Sequence, residues 1–160
     1  MNAQIFGALL SLTLFSTNGY AQLVEPARFA NKLQGQWQLT ELNAGGRVVD
    51  HSNYKPSNFS KDHWTIETNK EAHSYALSSV AGDKDFPEVT MIDAKGNRGF
   101  IAIMKLDGEE LIVARRQLPS DAESKIKRDD GILMMAKPES IEPGQNTLVY
   151  KFRRQFDKQK

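Results

Sequence analysis

The sequence predicts an all-β domain: a small antiparallel up-and-down barrel of about eight strands, preceded by a short helical turn. Three observations carry this reading. Apolar residues alternate with polar ones in one short segment after another, the half-buried strand pattern. Asp107-Gly108 sits between two apolar runs, a hairpin signal. No long helical pattern and no βαβ spacing interrupts the series, and a sheet of strands in simple succession removes its exposed edges by closing on itself.

In chain order, Pro26 to Leu33 reads as the helical turn, with Pro early and Phe29, Ala30 and Leu33 at helical spacing. Gly35 to Thr40 is a strand with Trp37 and Leu39 on one face. Asn43-Ala44-Gly45-Gly46 turns the chain, Arg47-Val48-Val49 starts a short return, and Asp50 to Ser60 reads as a polar loop. His63 to Thr68 pairs with Ser74 to Ser78 across the turn at Asn69-Lys70-Glu71; Trp64 and Ile66 face together, and Tyr75 and Leu77 share a face. Glu88 to Asp93 and Gly99 to Met104 flank a loop whose Gly96 can take positive φ, and Glu110 to Arg116 follows the Asp-Gly turn. After a polar excursion from Pro119 to Asp130, Ile132 to Ala136 is expected as a further strand, and Leu148 to Arg154 as the last.

Composition narrows the function classes. The 160 residues leave room for one domain, and no cysteine is present, which excludes disulfides, an acylated-Cys lipid anchor, thiol catalysis and Cys-based zinc sites. Lys+Arg 21 against Asp+Glu 20 gives no basic face for a nucleic acid. The first 21 residues lack charged side chains, and Ile5 to Phe15 is an apolar run too short to span a bilayer comfortably. Small residues at Gly19 and Ala21 fit a signal-peptidase site. The expectation is therefore a signal peptide over residues 1–21 and a single barrel domain over 22–160, exported to the periplasm or medium without a stable membrane anchor.

Two segments carry a family resemblance. Leu33-Gln34-Gly35-Gln36-Trp37-Gln38-Leu39 with Gly45-Gly46-Arg47-Val48, and Pro87 to Asp93 with Gly96, Ile101 to Met104 and Leu106 to Leu111, resemble the lipocalin-like, calycin-like domain family abundant in planctomycete bacteria, whose members have no settled function. The ending Leu148 to Arg154 is similar too, whereas Pro119 to Ser140 departs from the pattern. The resemblance implies a barrel opened at Gly35 and closed at one end by Trp37, with Arg153 or Arg154 packed over the indole. Alternation through Leu148, Tyr150 and Phe152 puts Arg154 on their face; the family's ending equally aligns Arg153.

Chemistry-bearing residues are sparse. His51, His63 and His73 are the histidines, and His63 and His73 do not meet across their hairpin. Glu109-Glu110, Asp129-Asp130 and Asp83-Lys84-Asp85 point to opposite faces or lie in turns, and no serine has the glycines of a nucleophile elbow. Lys125 to Arg128 reads as a solvated loop. Neither a catalytic set nor a cofactor or metal site emerges. The expected inward residues are Trp64, Tyr75, Leu77, Met91, Phe100, Ala102, Met104, Leu111 and Val113. They either fill the barrel completely or line an adaptable pocket for a small hydrophobic molecule. A second functional class is open: a protease inhibitor acting through the mature N-terminal segment Gln22 to Pro26.

Overall fold

A computed structural model describes residues 26–117, 125–127 and 132–156. The expected signal peptide and most of the N-terminal segment proposed for protease inhibition lie outside the described residues. Helix α1 (Pro26–Leu33) leads into β1 (Gly35–Ala44), β2 (Arg47–Val48), β3 (Ser57–Ser60), β4 (His63–Glu67), β5 (Ala72–Gly82) and β6 (Pro87–Asp93). The chain continues through β7 (Arg98–Asp107), β8 (Glu110–Arg116), β9 (Lys125–Lys127), β10 (Leu133–Met135) and β11 (Thr147–Gln155).

Eight of these strands close a barrel in the order β1-β3-β4-β5-β6-β7-β8-β11 and back to β1, every neighbour antiparallel. Closure is made by β1 against β11, in register from Gln36↔Gln155 to Ala44↔Leu148. The fold is thus the expected antiparallel barrel behind a short helix. Its membership differs at two places. Ser57–Ser60, read as polar loop, is barrel strand β3: its inward positions are Ser57 and Phe59, so a single apolar residue marks it. The apolar run at 132–136, read as a barrel strand, pairs through three residues only, and parallel, beside the start of β7. There β10 continues the wall past the end of β8, and β9 pairs with it in turn.

Bulges set which residues face inward. Alternation from Trp37 and Leu39 would turn Glu41 into the barrel; a register shift at Thr40 lets Leu42 face in instead. A second shift, between Leu77 and Ser79, does the same for Val80, which packs on the core. The interior is aromatic at its centre. Trp64 stacks on Phe59 with centroids 5.4 Å apart, and meets Tyr150 and Phe152 edge-on at 6.2 and 5.8 Å.

Antiparallel order fixes the two ends. The start of β1, the turns β3–β4, β5–β6 and β7–β8, and the end of β11 share one end, which α1 covers. The turns β4–β5 and β6–β7, the end of β8 and the start of β11 share the other.

Candidate functional site

The helix end is a structural closure. Trp37 is fully buried, and its indole N–H donates to the Leu33 carbonyl at 2.8 Å. The Arg154 guanidinium lies 4.3 Å from the Trp37 ring centroid and donates to the carbonyls of Gln34 and Lys32, both at 2.6 Å. One side chain therefore satisfies carbonyls at the C-terminal end of α1, places a cation there and covers the indole. Gly35 turns the chain between helix and strand at φ 111°, a backbone region unfavourable to residues with a Cβ. Of the two arginines left open by the sequence, the structure puts Arg154 over Trp37. Arg153 points outward, two-thirds exposed, with Glu110 at 3.6 Å. Gln34 adds a clamp, donating to the Ala30 and Lys61 carbonyls and accepting from the Lys61 N–H at 2.7 Å.

The opposite end holds a cavity of about 810 Å³. Its inner wall comprises Ile66, Tyr75, Phe100, Met135 and Tyr150; its rim carries Glu71, His73, Asp93, Lys95 and Arg98. Of the residues expected in the lumen, Tyr75 and Phe100 line this cavity, their rings edge-to-face at 5.0 Å. Trp64, Leu77, Met91, Met104 and Leu111 do not line it: they are buried in the packed body of the barrel, with Ala102 and Val113.

Tyr54 and Arg115 also line the cavity, and neither was expected there. The segment before β3 is fastened to the β4–β5 turn by Lys55 N–H to the Glu67 carbonyl and Asn69 N–H to the Asn53 carbonyl, with Tyr54 bridging to Thr68. This carries the Tyr54 ring to the cavity although its sequence surroundings are polar. Arg115 had a readable signal: it continues the inward series Leu111 and Val113 along β8.

The Arg115 guanidinium sits against aromatic groups. Its Nε and Nη2 donate to the Tyr150 hydroxyl at 3.3 and 3.1 Å, and it lies 5.2 Å from the Phe100 ring centroid and 5.8 Å from that of Tyr150. Among the described residues it has no carboxylate partner within 4.0 Å. Burial works against its charge, but the neighbouring oxygens of Tyr150, Tyr75 and Tyr54 outweigh burial and leave its pKa raised, so the cation persists. Burial likewise holds the Tyr75 and Tyr54 phenols above their ordinary value of 10.0, hence neutral hydroxyls. The site offers a hydrogen-bonded guanidinium on its wall, neutral hydroxyls and apolar side chains, with Lys95 and Arg98 beside Glu71 and Asp93 on the rim.

The histidines stand apart from one another. His63 meets Asp62 at 2.7 Å and His73 meets Glu71 at 3.1 Å, all on exposed side chains. Among the described residues no group of three metal-ligating side chains forms, and no helix is long and apolar enough to cross a membrane. No protein-family model, curated protein or solved structure matches the chain.

Proposed function

We propose that this chain is an exported lipocalin-like barrel that binds a small, largely apolar molecule at the end opposite its helix. The observation that supports the reading is the cavity of about 810 Å³, within the range typical of small-molecule sites, against an aromatic and Met-containing wall. The large side chains of Trp37, Trp64, Phe59, Met91, Met104 and Leu111 are buried away from the cavity. Export is supported by the uncharged, apolar residues 1–21 and the small residues at Gly19 and Ala21.

Native mass spectrometry of the protein purified from its host, followed by solvent extraction, tests the binding. A co-purifying small molecule is expected, and Phe100→Trp, which adds bulk to the wall, should lower its occupancy. Protein that emerges free of any compound and binds none of an apolar ligand panel would refute the reading. N-terminal sequencing of the same preparation should find Gln22 first; retention of Met1 would refute export by this leader.

A further inference from the structure

A cavity meant only for hydrocarbon gains nothing from a charge on its wall. Arg115 is fixed there: two of its N–H groups are held by one Tyr150 hydroxyl, and its plane rests near two aromatic rings. A guanidinium carries five N–H donors, so three remain beyond the Tyr150 hydroxyl. No carboxylate among the described residues neutralises it. Tyr54 and Tyr75 line the same cavity with hydroxyls that can each donate one further hydrogen bond.

We propose that the ligand is an amphipathic monocarboxylic acid, its carboxylate on the Arg115 guanidinium and the tyrosine hydroxyls, its hydrocarbon body on the wall of Ile66, Phe100 and Met135. The proposal rests on the ligand-binding reading of the barrel and specifies the ligand's charge. A guanidinium matches a carboxylate in shape and charge, and the pair strengthens as a hydrophobic body excludes water around it. A single headgroup charge fits the one guanidinium on the cavity wall, which has no carboxylate within 4.0 Å among the described residues. A dianionic phosphate would bring a second negative charge to a wall whose cation is Arg115, and the rim adds no net positive charge to meet it, since Lys95 and Arg98 there stand against Glu71 and Asp93.

Isothermal titration of the full mature chain with decanoate and with decanol tests this. The two share a hydrocarbon body and differ in the headgroup. Decanoate should bind at least about tenfold tighter than decanol, the scale of a hydrogen-bonded charge pair. In Arg115→Met that preference should vanish while decanol binding persists, and Arg115→Lys should retain part of it. Equal affinities for acid and alcohol in the unmodified protein overturn the proposal but leave the binding barrel standing, and that comparison needs no variant to fold. A preference for the acid that survives in folded Arg115→Met also overturns it. Binding of neither compound counts against the ligand-binding reading, and this inference falls with it.

Discussion

Arg153 and Arg154 are sequence neighbours of equal charge, and the pleat of β11 gives them opposite surroundings. Arg154 covers Trp37 and two carbonyls at the end of α1; Arg153 faces solvent. Replacing Arg154 with Met should lower the unfolding free energy by roughly 1–2 kcal/mol, from a lost cation–π contact and charged hydrogen bonds. The same change at Arg153 should stay within about 0.5 kcal/mol, because its partner Glu110 is equally exposed. Urea midpoints of the two variants check the contrast, and equal shifts would contradict it. Trp37→Ala should cost roughly 3–5 kcal/mol, as for a fully buried aromatic. Tyrosines give a pH signature. Tyr54 and Tyr75 are neutral in both folded and unfolded chains below their ordinary value of 10.0, so they leave stability flat there. Above 10.0 the unfolded chain loses those protons first, and stability should fall as pH rises toward the raised folded values. Urea midpoints measured from pH 8 to 11 should show a shallower fall in Tyr75→Phe; an unchanged slope would mean that Tyr75 does not contribute.

Strands announced themselves in proportion to the apolar residues they turn inward. The β4–β5 hairpin was legible to within about two residues of its register, because Trp64, Ile66, Tyr75 and Leu77 alternate cleanly; the structure sets His63 opposite Ala76 and His73 opposite Ile66. Strand β3 was not, since a buried Ser57 stands where an apolar residue would have signalled it. Conversely β10 is as apolar as a barrel strand, but composition says nothing of pairing direction. Gly99 is what lets β10 dock. A Cβ built there would lie 2.6 Å from the Met91 carbonyl oxygen and 2.6 Å from the Met134 sulfur. The thioether can move; the carbonyl belongs to strand β6 and cannot without disturbing the β6–β7 ladder. Gly99→Ala should therefore destabilise the protein by roughly 1–3 kcal/mol, an overpacking cost. Thermal unfolding measures it, and a neutral result would mean that β6 and β10 both yield.

At the scale of the molecule, the barrel separates a closed end from an open one, and each end carries an inward-turned arginine. The resemblance offered the first as Arg153 or Arg154; the second lies on the alternation of β8, but the pair Arg115-Arg116 at that strand's end has the composition of a solvated terminus. Their energetic roles differ. Arg154 satisfies groups that would otherwise lack partners, so removing it should destabilise. Arg115 has no carboxylate within 4.0 Å among the described residues; burial opposes its charge while the Tyr150 hydroxyl and the Phe100 and Tyr150 rings favour it, so the opposing contributions to the fold offset one another. Replacing Arg115 with Met should therefore change the stability of the ligand-free protein by less than about 1 kcal/mol, because losing its hydroxyl and ring contacts is offset by relief from burying a charge. The two arginines sit at opposite ends of β8 and β11 without a shared partner, so the double variant should equal the sum of the single ones to within about 0.5 kcal/mol. Thermal unfolding of the two single variants and the double variant decides it. A loss of stability in Arg115→Met comparable to that in Arg154→Met would make Arg115 a structural clamp for Tyr150 and remove the energetic argument for a binding role.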